Sequence, residues 1–259
     1  MKKKDELKPV EKTGVAVFDP TSMLSEVNGN ADIQAEHCAM PFLQIAHGLS
    51  EVVKKGKPSY IEGLEPGQIY NTVTKEFFDE LTVIPCKIKK SFVAWTDEPK
   101  GKPQGEYTEQ DNYYQNAKWV ENGKGGNILK AEDGNILVET YTYLVIYIDP
   151  NGKIAQAILP MSKTRLAVAK QWNTKMKSLL IDNAEGRKVN PPKCMTMYTL
   201  STVEKSNQHG DWHIYSIDFK GLVDSKDLFE AAQALSGADI NFTSEETVED
   251  AVEEAPPII

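Results

Sequence analysis

Ile136-Leu137-Val138-Glu139-Thr140-Tyr141-Thr142-Tyr143-Leu144-Val145-Ile146-Tyr147-Ile148 is the stretch that decides the fold class. β-Branched and aromatic residues dominate it and neither Gly nor Pro interrupts it, so it reads as one long strand. Asp149-Pro150-Asn151-Gly152 follows with turn chemistry, and residues 153–160 return as the hairpin partner.

Working outward, the order is mostly strands. Ile69-Tyr70-Asn71-Thr72-Val73 is β-prone, after the turn signal Glu65-Pro66-Gly67. Residues 81–95 form a longer β-prone run, and Pro85 within it marks an edge or a bulge. Two more strands are expected near 195–203 and 212–219, joined by a hairpin turn at Gln208-His209-Gly210-Asp211. Gly14-Val15-Ala16-Val17-Phe18 reads as a short strand, and residues 40–49 as a short helix or turn with Pro41 at its start and Gly48 at its stop. Residues 96–126 are polar, with Pro99, Pro103 and several glycines, and read as a long loop.

One prominent helix is predicted over 163–180. Leu166, Ala169, Trp172 and Met176 recur at helical spacing behind Ser162, an N-cap residue type. A second, short helix is predicted near 226–235. Helices do not alternate with strands, so a doubly wound α/β sheet is excluded. The expected class is mainly β with minor α: an OB-like Greek-key barrel with one prominent helix and long loops. The expected organisation is a flexible N-terminus at 1–12, a single domain at 13–238 and a disordered acidic tail at 239–259.

Charge is distributed unevenly. The net charge is −9, yet after Lys226 there is no Lys or Arg and there are nine acids. Removing those nine from the 38 acids leaves 29, equal to the 29 Lys and Arg, so the acidity belongs to the tail. No run approaches the ~20 apolar residues a membrane span needs, and the start Met1-Lys2-Lys3-Lys4-Asp5-Glu6 is no signal peptide. A cytoplasmic protein is expected. Cys38, Cys86 and Cys194 are odd in number and far apart, as buried thiols are.

Catalytic signatures are absent from the sequence, and the expectation is a protein that is not an enzyme. Gly123-Lys124-Gly125-Gly126 lacks the P-loop context. His209 and His213 are four apart but belong to a turn sequence rather than a helix, and His37 beside Cys38 lacks a second pair. Neither a metal nor a cofactor is expected.

Three positive signals remain. First, Lys87, Lys89 and Lys90 precede Phe92 and Trp95. Strand alternation places Lys90, Phe92 and Ala94 on one face and Lys87, Lys89, Val93 and Trp95 on the other. Cations mixed with rings can hold a phosphate backbone and stack bases; the alternative is rings in the core and lysines merely solvated. Second, residues 153–193 carry nine Lys or Arg against only Asp182 and Glu185. Within them, Lys163, Arg165 and Lys170 are candidates for phosphate contact; the alternative is an ordinary wet helix face. Tyr113, Tyr114 and Trp119 are candidate stackers on the long loop. Third, the acidic tail ends in Pro257, Ile258 and Ile259, with Glu253 and Glu254 just before, and is a candidate docking segment for a partner.

A neutral-to-basic β domain with aromatics among lysines and an acidic, apolar-tipped tail resembles bacteriophage-type single-stranded-DNA-binding proteins. Met40-Pro41-Phe42-Leu43-Gln44-Ile45, Gly67-Gln68-Ile69-Tyr70-Asn71-Thr72-Val73-Thr74 and residues 165–176 carry the likeness. The tail departs from it, ending in Ile-Ile where bacterial and some phage tails end in Phe. The resemblance implies binding and protection of single-stranded DNA during replication or recombination, and recruitment of replication or recombination proteins through the tail. Strand annealing is a close variant, and homo-oligomerisation is left open. The alternative from a different class is a structural, scaffold or virion protein without nucleic-acid activity.

Overall fold

Two long strands form the spine, β4 (Glu80–Trp95) and β8 (Ile136–Ile148), paired antiparallel from Thr82↔Ile148 to Trp95↔Ile136. The computed structural model describes residues 38–98, 101–123, 126–208 and 210–238. From Met40 onward the chain forms one unit, to which all the elements below belong. The expected strand at 14–18, the N-terminus at 1–12 and the tail at 239–259 lie outside the described residues.

Around the spine the earlier small strands are β1 (Leu43–Ile45), β2 (Ile69–Asn71) and β3 (Phe77–Phe78). They form their own three-stranded sheet in that order. The main sheet adds β5 (Pro103–Tyr107), β6 (Lys118–Glu121), β7 (Asn127–Lys130) and β9 (Ile154–Ser162). It is completed by β12 (Thr196–Asn207) and β13 (Gly210–Leu222), after a minor ribbon of β10 (Ile181–Asp182) and β11 (Lys188–Val189). The ladder order is β13-β12-β4-β8-β7-β6, with β5 also on β4 and β9 also on β8. Every ladder among the described residues is antiparallel, and the mainly β expectation holds. The order is an open one, and no ladder among the described residues joins β13 to β6.

Pro85 marks a bulge, as its residue type requires. The register between β4 and β8 slips between Pro85 and Lys87, so a residue with no N–H sits in a central strand without orphaning a ladder bond. The Asp149 turn is equally local in origin. Asp149 Oδ1 accepts from Asn151 N and Lys153 N, both at 2.8 Å, and Gly152 takes φ +84°.

Among the described residues three α-helices accompany the sheets: α1 (Asn112–Gln115), α2 (Leu166–Ser178) and α3 (Lys226–Gly237). α2 lies with the small sheet on one face of the main sheet. There Trp172, Ala169 and Val168 join Leu43, Ile45, Tyr143, Leu159, Tyr198 and Ile217 in the largest core. α3 covers the opposite face, where Leu228, Ala232 and Leu235 pack on Ile84, Cys86, Leu144 and Cys194. Alternation along β4 and β8 supplies both cores from the same strands.

Three sequence expectations need correction. Residues 43–45 are a strand rather than part of a helix, because β2 pairs with them and Phe42 bridges to Ile158 of β9. The helix starts later than 163: Lys163–Arg165 is a single 3-10 turn, and the Ser162 side chain makes no capping bond because Ser162 is still paired with Thr140. The stretch 96–126 is not one loop, since it holds β5, α1 and β6.

The thiols also divide. Cys86 and Cys194 are buried beside α3, and burial pushes the Cys86 thiol up to about 11, whereas Cys38 is exposed. At mildly alkaline pH the thiolate is the reacting species. A disulfide reagent such as DTNB is therefore expected to titrate Cys38 at once, and Cys86 and Cys194 only after denaturant. Immediate reaction of all three would mean that α3 does not seal its face.

Candidate nucleic-acid interface

The side chains that sequence reasoning grouped together fall into three environments. Two lysines face the α3 side. Lys87 Nζ donates to the carbonyl of Ala238 at 2.7 Å, and Ala238 is the C-cap of α3, so this ammonium satisfies the negative end of a helix. Lys89 Nζ lies 3.1 Å from Glu106, whose side chain is only 5% exposed. Releasing Lys89 to a phosphate would strand a buried carboxylate, at about 3–5 kcal/mol. Both lysines serve the fold.

The aromatics form the second environment. Phe92 is 5% exposed and packs with Ala94, Leu129 and Leu137 in a small core at the far end of the spine. Tyr114 covers its ring at 4.2 Å and Tyr113 stacks on Tyr107 at 4.1 Å. Tyr113 is fixed further, its hydroxyl donating to Asp133 at 2.7 Å. Each of these rings thus gives a face to a neighbouring ring, and Tyr113 and Tyr114 are half-buried. Trp119 differs: it sits on edge strand β6 and is 68% exposed.

The third environment is the α2 side, and it does gather charge. Lys90 projects there and pairs with Glu109, with Glu139 at 3.7 Å. Its hydrogen bond to Glu109 raises the Lys90 pKa, so it is firmly cationic. Lys170 pairs with the same Glu139 at 3.1 Å. Lys163, held at φ +48°, lies over the Trp95 ring at 5.4 Å, and Arg165 lies over Tyr215 at 5.9 Å. Exposed pairs of the Lys90 and Lys170 kind contribute only ~0.2–1 kcal/mol, so a phosphate can displace their carboxylates cheaply. The same helix is anchored by Lys175, which donates to Ile217 O at 2.7 Å and meets Asp218 at 3.1 Å.

Sequence reasoning missed a cleft of about 440 Å³ between the C-terminal half of α2 and residues 190–196. Lys177 and Lys193 line it. Both stood in the basic stretch, but nothing local indicated that they would converge. The proposed tail contacts Glu253, Glu254, Pro257, Ile258 and Ile259 lie outside the described residues. Among the described residues no cluster of His, Cys, Asp and Glu could hold a metal ion, and no helix is long and apolar enough to cross a membrane.

Fold and surface together define a mainly β protein with a cation-rich helix laid across one face of its sheet. Its sequence matches the Pam3 phage gp34-like protein family over residues 10–240, and the chain belongs to that phage family. Neither a curated protein nor a solved structure matches it.

Proposed function

We propose that this phage protein binds single-stranded DNA with little sequence preference, along the α2 side of its main sheet. One observation carries the reading: from Lys163 through Ile181, the α2 segment presents five cations and no carboxylate. A polyanion needs such a run of positive charge. Lys163, Arg165 and Lys170 are the proposed phosphate contacts, with Lys90 beside them. The acidic tail is the proposed docking segment for replication or recombination proteins.

Labelled oligo-dT titrated with the full chain tests this by anisotropy at several salt concentrations, with duplex of equal length as competitor. Three phosphate contacts to a single strand predict a log–log salt slope steeper than about −2. The single strand should win over duplex. No binding at low salt would sink the reading. The second reading, a structural or scaffold protein, is favoured by Trp119 standing exposed on the open edge strand β6. Large assemblies in sizing, together with no oligonucleotide binding, would put it first.

A further inference from the structure

We infer that the cleft between α2 and residues 190–196 is a nucleotide site, taking one phosphorylated nucleoside unit. The inference rests on the single-strand reading and names a specific subsite within it. The volume, about 440 Å³, falls inside the ~300–1,000 Å³ of small-ligand pockets.

The cleft is preformed. Asn190 Nδ2 donates to the carbonyls of Met176 at 2.9 Å and Leu179 at 2.7 Å, which ties the 190–196 segment to the last turn of α2. Asn173 is likewise fixed, accepting from the Tyr143 hydroxyl at 2.9 Å. The walls therefore need little ordering when a ligand arrives, which lowers the entropic cost of binding.

Its chemistry is divided. Ile88, Met176, Pro191, Pro192 and Tyr198 supply apolar surface suited to a flat base. Lys177 and Lys193 supply positive charge, and among the described residues neither lies in an ion pair with a carboxylate. That sets them apart from Lys170 and Lys175 on the same helix, which are both paired. Two uncompensated ammonium groups beside apolar walls match a ligand with an anionic end and an apolar body. Tyr198 is a fixed part of the lining. It is 1% exposed; burial raises its pKa, and a hydrogen bond with the Thr196 side chain opposes that rise. The Thr196 hydroxyl donates to Lys193 O at 2.7 Å, which leaves its lone pairs to accept from Tyr198 and fixes this wall of the cleft.

The test compares the full chain with its Lys177→Gln/Lys193→Gln variant, using two probes. Oligo-dT is read by anisotropy across a salt series, and thymidine 5′-monophosphate by NMR chemical-shift changes around Tyr198 and Met176. For a strand in the cleft, the variant binds oligo-dT about tenfold more weakly, with a salt slope shallower by about 1.4. If the native chain ignores oligo-dT but the mononucleotide shifts these resonances, and the variant abolishes that, the cleft holds a free nucleotide and the single-strand reading fails. Equal oligo-dT binding and slope in both chains overturns the inference and leaves that reading intact. No response to either probe overturns both. Lys177 is exposed and Lys193 half-buried, and unchanged melting of the variant would confirm that the fold is not at issue.

Discussion

Trp172→Ala is expected to destabilise the protein by about 4 kcal/mol, within the ~3–5 kcal/mol typical of removing a buried large aromatic. Trp172 is 1% exposed, at the centre of the α2-side core. Its indole meets Tyr143 at 4.5 Å and Tyr198 edge-on at 5.5 Å. Each such aromatic pair adds ~0.5–1.5 kcal/mol beyond area burial, so both the cavity and the lost pairs count. The indole N–H has no hydrogen-bond partner among the described residues, so no hydrogen bond is lost with it. Trp172→Phe, which keeps a ring in the same place, should therefore cost only about 1.5 kcal/mol. Urea unfolding of the two variants separates the cases. If the alanine variant costs under about 1 kcal/mol, α2 is not held by this side chain. Domains of this kind have only ~5–15 kcal/mol in total, so the alanine variant should also lose oligonucleotide binding at temperatures where the native chain keeps it.

The α2 anchor was legible because it is local. Leu166, Ala169, Trp172 and Met176 fall at helical spacing, and three thirteen- to sixteen-residue strands announce themselves by composition and alternation. Strand β5 was not legible: Pro-Gln-Gly-Glu-Tyr has little β preference and is a strand only because β4 pairs with it from Phe92 to Trp95. The same applies at 43–45, where an apolar run fits helix or strand and its partners at 69–71 and 158 decide.

The site shows the same division more sharply. Alternation placed Lys90 and Phe92 on one face and Lys87 and Lys89 on the other, and the structure keeps that split. What alternation cannot carry is the identity of the counter-charge. Glu106 comes from β5, Glu139 from β8, and the Ala238 carbonyl from 151 residues away. Whether a lysine is spoken for thus depends on long-range partners. The cleft is harder still, since its lining comes from β4, α2, the 190–196 segment and β12. No window of sequence contains it.

Asn71→Ala is expected to cost about 3 kcal/mol, and the loss is polar rather than apolar. Asn71 ends β2 and is 1% exposed. Its Oδ1 accepts from Val73 N and Thr74 N, both at 2.9 Å, and so shapes the turn into β3. Its Nδ2 donates to the Tyr147 hydroxyl at 3.0 Å, joining the small sheet to β8 of the main sheet. Alanine removes all three bonds, each worth ~1 kcal/mol net, and strands a phenol that is itself 1% exposed. Because that hydroxyl is left unpaired, removing both partners together should cost no more than the truncation alone. Tyr147→Phe alone should therefore cost about 1 kcal/mol. The double variant should be less destabilised than the sum of the singles by about 1 kcal/mol. Denaturant unfolding of the four chains gives this coupling directly. Additivity within about 0.3 kcal/mol would mean the amide–phenol bond contributes nothing. The small sheet would then rely on the packing of Leu43, Ile45, Ile69 and Phe78, on the Tyr215 hydroxyl donating to Leu43 O at 2.9 Å, and on the Phe42–Ile158 bridge.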